Sequence, residues 1–339
     1  MKRTLCVLLA ALCALLSACA GREPDDLSVV RLLSLDRAGK GYTAAAFPLA
    51  IEEGDRFAVS GSGESTAEAL MALTAEESGS AFLGHTEHVV LGESYGENGI
   101  GELLSCAVLG DTLRPDSYLW TALAGSGADW ASSSGGDRGA ETLNRLTGSS
   151  GEKSVVSVTA AQAATALRQN GAVLLPALAP DGAKTAGYAV FSRGMLTGTL
   201  EGDASLGAEL LLEEPCGQTM EVHGRAVRLT GVKVTVTPLW NGGEFSGVEI
   251  FCRVKARMGS GKTLSAEERE ALELAAARVV ETRILAATGA LKELDADGAG
   301  WKHKALERTF WKADELEEAW PERLSELSIR VRVSVQAER

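Results

Sequence analysis

The sequence predicts an α+β protein of several domains, in which helices pack on mixed or antiparallel sheets. Three observations support this class. Segments with alternating apolar residues, typical of half-buried strands, occur in both halves of the chain. Two Ser-x-x-Glu capping boxes indicate where amphipathic helices begin. Strands and helices do not follow the regular alternation that builds a parallel βαβ sheet.

The first half begins with two predicted strands, over residues 27–36 and 42–51, joined by a turn at Arg37-Ala38-Gly39-Lys40-Gly41. A helix is predicted to begin at the capping box that Ser65 opens. The next predicted strand covers residues 85–93. These elements together predict a mixed sheet with at least one helix packed against it.

A second helix and a long loop are predicted next. The helix shows a single apolar face, formed by Ile100, Leu103, Leu104, Ala107 and Val108. Residues 128–154 are dominated by small and polar side chains, and we expect this segment to be mostly loop.

The second half is predicted to contain a hairpin, a long helix and a closing strand. Two alternating runs flank Asn241-Gly242-Gly243, a sequence typical of a tight turn. The capping box at Ser265 opens the helix, and its buried face is expected to contain Leu272, Ala276, Val279 and Ile284. The strand over residues 328–336 is expected to face a core through Ile329, Val331, Val333 and Val335.

The N-terminus has the pattern of an exported protein. A basic start, Met1-Lys2-Arg3, precedes an uncharged segment over Leu5–Ala18. This segment is shorter than the roughly 20 residues of a membrane-spanning helix and is typical of a signal peptide. Leu16-Ser17-Ala18-Cys19 resembles the bacterial lipobox, in which the cysteine thiol receives a diacylglycerol and becomes the new N-terminus. The alternative is an ordinary signal peptide in which Cys19 is incidental.

Four segments follow from this organisation. We predict a lipoprotein signal peptide over residues 1–18 and a lipid tether over 19–26. An N-terminal domain over 27–205, long enough to subdivide, and a C-terminal domain over 206–339 complete the chain.

Charge and cysteine content exclude several partners. The formal net charge is −13 at pH 7, and removal of residues 1–18 makes it more negative, because Lys2 and Arg3 leave with no acid. Such a chain has no attraction for nucleic acid or for an anionic lipid surface, so the lipid on Cys19 is the expected link to the membrane. Cys106, Cys216 and Cys252 are odd in number and widely spaced, which does not suggest a disulfide framework.

Two groups of residues could carry chemistry, and each has a plainer interpretation. On a strand, His85 and Glu87 would share one face and His88 the other, either as part of a zinc site or as a polar strand edge with a hydrogen-bonded histidine. Trp301, Trp311 and Trp320 could form a binding platform, although packing on the sheet is favoured.

Catalytic motifs are not supported either. The segment Gly259–Thr263 resembles the end of a phosphate-binding loop, but Ala256 stands where that motif needs glycine. We therefore predict no catalytic, cofactor or metal site, and Cys19 is the single predicted functional residue.

Short blocks along the chain resemble the Ger(x)C lipoproteins, the C subunits of nutrient germinant receptors in endospore-forming bacteria. The blocks are VVRLLSLD, HTEHVVLGESYGENGIGELL, LRQNGAVLLPAL, GYAVFSRGMLTGTL, LDADGAG and WPERLSELSIRVRVSVQ. The matching positions are Asp36, His85, Gly92, Glu93, Gly99, Ile100, Gly171, Pro176, Phe191, Gly198, Asp295, Gly298, Gly300 and Trp320. The sequence departs from the family at Leu109, where an arginine is common, and at Ala20, where an aromatic residue often follows the cysteine.

The resemblance implies a non-enzymatic, lipid-anchored α+β protein on the outer face of the spore's inner membrane. It implies two integral membrane partners, the A and B subunits, in a receptor that responds to small nutrients, and no cofactor. The alternative is a free-standing extracytoplasmic solute-binding lipoprotein. Its usual two lobes of alternating strands and helices fit poorly with the late strands, which look antiparallel.

Overall fold

The computed structural model describes residues 28–48, 58–75, 81–110, 112–148, 153–180, 184–259 and 264–338. The strands in these residues are β1 Ser28–Ala38, β2 Gly41–Pro48, β3 Val59–Gly63, β4 Ala81–Phe82, β5 His88–Gly92, β6 Tyr118–Ala122, β7 Val158–Thr159, β8 Ala172–Leu178, β9 Thr185–Ser192, β10 Met195–Leu200, β11 Thr219–Val222, β12 Arg225–Asn241, β13 Glu244–Met258 and β14 Ile329–Ala337. The helices are α1 Thr66–Thr74, α2 Glu93–Asn98, α3 Gly101–Val108, α4 Gly127–Ser133, α5 Asp137–Leu146, α6 Ala160–Asn170, α7 Gly202–Leu211, α8 Ala266–Glu293, α9 Trp301–Arg308 and α10 Ala313–Ala319. The α+β class, with mixed sheets and packed helices, is confirmed.

The first sheet has a parallel centre with antiparallel wings. Its main path is β10-β9-β8-β6-β5-β1-β2-β3, and the short strands β4 and β7 pair with β1 and β6. Strands β1, β5, β6 and β8 run parallel. The parallel centre is covered by helices on both faces, which explains why β8 is buried along its whole length and does not alternate.

The second sheet is built around the predicted hairpin. Its order is β11-β12-β13-β14, and β12 and β13 turn at Gly242 and Gly243, both with positive φ. The last strand differs from the sequence expectation, because β14 lies parallel to β13. Helices α8 to α10 form the long crossover that a parallel pair requires.

The hydrophobic core continues through both sheets. On one face of the first sheet pack α1, α3 and α6, and on the other face pack α4 and α5. The core layer that contains α4 and α5 also contains buried residues of α7, α8 and the second sheet. The two halves of the chain therefore share one core layer, and the predicted boundary after residue 205 remains a prediction.

Three details of the predicted elements need correction. Residues 128–154, expected as loop, contain most of α4 and all of α5; Ser126 caps α4 by accepting a hydrogen bond from the Asp129 amide. Val108 is 45 % exposed, so the apolar face predicted for α3 reaches solvent at the last residue of the helix. In α8 the buried residue is Val280, whereas Val279 is only partly buried, because the buried row advances in steps of four residues.

Candidate functional site

The predicted lipidation site lies outside the described residues. The described structure starts at Ser28, so Cys19 and the tether after it have no structural account. Within the described ranges, no helix combines the length and the apolar character that crossing a bilayer requires.

The carboxyl ends of β1 and β5 meet at Asp36. Its Oδ1 accepts a hydrogen bond from the Gly127 amide at 2.6 Å, and its Oδ2 accepts one from the Ala128 amide at 3.0 Å. Burial raises the pKa of Asp36, and the two amide bonds lower it in part. A Cβ on Gly92 would lie 2.0 Å from Asp36 Oδ1, so only glycine fits at the end of β5. Open parallel sheets bind ligands at this edge, and here a side chain of the protein occupies it.

Glu93 belongs to the same edge. Its Oε2 accepts a hydrogen bond from the Ala124 amide at 3.1 Å, and its own amide donates to the Gly125 carbonyl. Ala124 has a φ of +57°, so this short loop after β6 adopts a conformation unusual for a residue with a side chain. The contact ties the loop to the end of β5 and indicates a structural role for Glu93.

The next matching residues tie helices of the first half to the β9–β10 hairpin. Gly99 has a φ of +103°, and the Ile100 amide donates to the Gly194 carbonyl at 2.9 Å. Ile100 and Phe191 are fully buried. These contacts indicate a structural role for this block.

The remaining matching residues lie near the end of α8 and the strands it approaches. A Cβ on Gly198 would lie 2.6 Å from Leu294, and one on Gly298 would lie 2.7 Å from Leu174. Asp295 Oδ1 accepts the Leu324 amide at 2.6 Å. The other members of the set are Gly171, which ends α6 with a left-handed cap, Pro176 in β8, Gly300 before α9, and Trp320 after α10.

His88 is fully buried and lies at the centre of a polar network that reaches the partly exposed Glu87. The indole N–H of Trp120 donates to His88 Nδ1 at 3.1 Å. His88 Nε2 therefore carries the proton and donates to Asn144 Oδ1 at 3.2 Å. The Asn144 side-chain amide donates to Glu87, which also accepts hydrogen bonds from Arg31 Nε and Nη2. Burial lowers the pKa of His88 to about 4, so the ring is neutral at pH 7.

His85 does not join this network, and the predicted arrangement of the HTEH segment is wrong. His85 ends a short 3-10 turn and packs edge-on against Phe82, because β5 begins only at His88. Across the ranges that the structure describes, no three His, Cys, Asp or Glu side chains form a group suited to a metal ion. Of the two interpretations, the buried histidine with hydrogen-bond partners is the one that fits His88.

An open cleft of about 640 Å³ lies where β9, α7 and α8 meet. Glu209 on α7 is buried in it and accepts hydrogen bonds from the Tyr188 hydroxyl at 3.0 Å and the Gln218 amide at 2.7 Å. Arg283 on α8 donates to Gln218 Oε1 at 2.9 Å. Burial raises the pKa of Glu209 to about 7, although Gln218, Tyr188 and Arg283 oppose the shift.

Sequence reasoning missed this cluster. The available signal was Glu209 itself, an acid followed by three leucines on a short helix. Its partners are 9 to 74 positions away along the chain, so no local pattern identifies them. Hydrogen bonds between the side chains of this cluster connect β9, α7 and α8. The cluster can therefore stabilise the contact between the two halves of the chain.

The three C-terminal tryptophans occupy different environments. Trp301 is fully buried, and Trp320 is half-buried and stacks on Phe245. Trp311 is 67 % exposed, and the adjacent Phe310 is 73 % exposed. Packing on the core therefore describes two of the three tryptophans, and Trp311 forms part of an exposed aromatic pair.

Comparison with known proteins decides the family. Residues 21–179 match the family model described as "Spore germination protein N-terminal domain". Residues 186–339 match the model described as "Spore germination B3/ GerAC like, C-terminal". The chain belongs to the GerAC-like spore germination family. The resemblance to the Ger(x)C proteins is thereby confirmed, and the chain is a germinant receptor subunit of this kind.

A solved structure shares the GerAC-like fold. The crystal structure of the GerBC protein superposes with a TM-score of 0.58 at 16 % sequence identity, covering 91 % of this chain and 97 % of that one. This likeness shows the common fold. A search of curated proteins found no significant match.

Proposed function

We propose that this GerAC-like protein is a lipid-anchored, non-catalytic subunit of a spore nutrient germinant receptor. Diacylglycerol on Cys19 would hold it on the outer face of the spore's inner membrane. There it would assemble with the integral membrane A and B subunits and be required for the germination response to small nutrients. The observation that carries the proposal is the match of both halves of the chain to the spore germination family models.

The anchor is supported by the lipobox and by the reach of the tether. Residues 20–27 separate Cys19 from β1, which begins at Ser28. At about 3.3–3.6 Å per extended residue, this segment spans at most about 30 Å. An acyl-modified Cys19 would therefore keep the N-terminal sheet close to the bilayer surface.

The alternative, a free-standing solute-binding lipoprotein, is less well supported. The cleft at Glu209 is the strongest candidate for a solute site. Its central donors and acceptors, Glu209, Tyr188, Gln218 and Arg283, already bond to one another. A solute would have to break that network, so the structure favours the receptor-subunit interpretation.

The first experiment compares spores that carry Cys19→Ala with spores that carry Cys13→Ala at equal protein level. Cys13 lies in the same apolar segment but outside the lipobox, which makes it the matched control. We expect Cys19→Ala to leave the membrane fraction, to lose labelling by an alkyne fatty acid, and to slow nutrient-triggered dipicolinate release. Cys13→Ala should behave like the wild type.

The possible outcomes test the lipid anchor and the receptor role separately. If Cys19→Ala protein stays labelled and membrane-bound in cells that lack the other receptor subunits, the lipid assignment is wrong. If deletion of the whole chain leaves dipicolinate release unchanged for every nutrient mixture tested in a strain without other receptors, the receptor role is wrong.

A further inference from the structure

An exposed aromatic turn stands out on the second half of the molecule. Phe310 and Trp311 form a 3-10 turn between α9 and α10, with ring centroids 5.3 Å apart and planes at 82°. Both rings are mostly exposed. Leaving side chains of this size in water forgoes stabilisation that burial would provide.

The turn is held in place from both sides. The Thr309 amide and hydroxyl donate to the Ala305 carbonyl, and the Lys312 amide donates to the Thr309 carbonyl. The Lys312 ammonium lies 4.6 Å from the centroid of the Trp240 ring. The aromatic pair is therefore presented by fixed contacts, so docking a partner would cost little conformational entropy.

The surface beside the pair is acidic. The helix that follows directly, α10, carries four exposed carboxylates, Asp314, Glu315, Glu317 and Glu318. Of these, Glu315 is paired with Lys312. The helix is fastened to the body by Leu316, which is fully buried. We call Phe310, Trp311 and these four acids the aromatic–acidic surface.

The charge selects among possible occupants. Two copies of this surface would bring like charges together, which disfavours a second copy of the chain. Anionic lipid headgroups would repel the same carboxylates. A protein segment with an apolar side chain between basic ones would bury the aromatic rings and pair with the acids. Trp is enriched among residues that carry most of the binding energy at such interfaces.

We propose that the aromatic–acidic surface docks a basic segment with an apolar centre that belongs to another subunit of the germinant receptor. The proposal rests on the proposed receptor function for the identity of the partner. It assigns the contact to the C-terminal half, whereas the lipid anchor lies at the N-terminus.

The test is co-purification of the A and B subunits with the full-length chain from detergent-solubilised membranes of sporulating cells. Trp311→Ala and the triple change Asp314→Lys, Glu317→Lys, Glu318→Lys are compared with the wild type. Matched controls are Leu285→Ala, at an exposed apolar position of α8, and Glu267→Lys with Glu270→Lys on the same helix. Unchanged thermal unfolding midpoints confirm that the variants fold.

We expect each test variant to capture at least about tenfold less partner, as loss of a central interface residue does, and the controls to capture as much as the wild type. If Trp311→Ala and the triple variant capture as much partner as the wild type does, the docking role of this surface is wrong, although the receptor assembly stands. Failure of the wild type to capture either subunit would overturn the assembly itself and this partner with it. Trp311-dependent flotation on anionic vesicles, or a Trp311-dependent dimer in sedimentation, would assign the surface to a bilayer or a second copy and overturn the proposal.

Discussion

Glu209 and His88 are buried side chains whose pKa values move in opposite directions. Folding raises the pKa of Glu209 from 4.5 to about 7, since burial opposes its charge. Folding lowers the pKa of His88 from 6.5 to about 4, also because burial opposes the charged form. Glu209 therefore titrates around neutral pH and His88 is neutral there, and each gives the free energy of unfolding a distinct pH dependence.

Glu209→Gln tests the first shift. The folded protein binds more protons at this site than the unfolded chain between about pH 4.5 and 7, so unfolding free energy falls as pH rises through that window. Gln cannot ionise, so the variant does not lose this stability. Its free energy of unfolding relative to that of the wild type should rise across the window by on the order of 3 kcal/mol. Urea unfolding at pH 4.5, 6 and 8 measures this. Glu201→Gln, at an exposed position of the same cleft, is the control, and an equal pH trend in both variants would contradict the assignment.

His88→Phe tests the second shift. The folded protein binds fewer protons here than the unfolded chain between about pH 6.5 and 4, so unfolding free energy falls as pH falls. The variant should be less stable at pH 7 by about 1–3 kcal/mol, because Trp120 and Asn144 lose a buried partner. The difference from wild type should shrink toward pH 4 in the same unfolding measurement. A difference that stays constant with pH would contradict a neutral buried histidine.

At the scale of elements, the edge formed by β1, β5 and α4 depends on one close contact. Asp36 satisfies two free amides at the start of α4, where the helix dipole also favours a negative charge. Gly92 leaves the space that the carboxylate fills. The family resemblance at these two positions thus has a packing explanation.

Gly92→Ala should destabilise the fold by about 1–3 kcal/mol or more. The added Cβ displaces Asp36, which leaves the buried amides at the start of α4 without a hydrogen-bond acceptor. Gly289→Ala is the matched control: it lies on an exposed side of α8 with no atom within 4 Å of the new Cβ. Alanine there should stabilise the protein by up to about 1 kcal/mol. Thermal unfolding of the two variants compares them, and similar shifts in the midpoint would refute the close-contact argument.

At the scale of the whole molecule, α7 spans the predicted boundary at residue 205 and crosses α8 of the second half. A Cβ on Gly207 would lie 2.0 Å from the Arg283 carbonyl oxygen and 2.9 Å from Ala287 Cβ, so the helices approach closely. The same crossing carries the Glu209 cluster, and the core layer runs continuously through it. We therefore expect the two halves to unfold as one cooperative unit.

Gly207→Val should force α7 away from α8 and uncouple the halves. We expect one calorimetric transition for the wild type and two for the variant, with limited proteolysis cutting first between the halves. Gly289→Ala, on α8 away from the crossing, should keep a single transition. Two transitions already present in the wild type would show that the shared core layer does not couple the halves.

Prediction from sequence succeeded where the signal was local. The β12–β13 hairpin followed from alternation around Gly242 and Gly243, and α8 followed from the Ser265 capping box, which the structure contains. It failed in residues 128–154, because polar surfaces and small residues conceal α4 and α5. Of the described functional candidates, the Glu209 cluster and the aromatic–acidic surface depend on burial and exposure, which the sequence does not display.

Four features could be predicted from the amino-acid sequence: the α+β class, the principal hairpin, the capped helices and the resemblance that places the chain in its family. These features depend on patterns of polarity, turn residues and helix caps, and each pattern involves residues that lie close together along the chain. Three features became visible in the folded structure: β1, β5, β6 and β8 run parallel, β14 pairs in parallel with β13, and Trp301 is buried while Trp311 is exposed. These depend on contacts between residues far apart in the chain, whose free energy comes from packing and desolvation in the assembled fold.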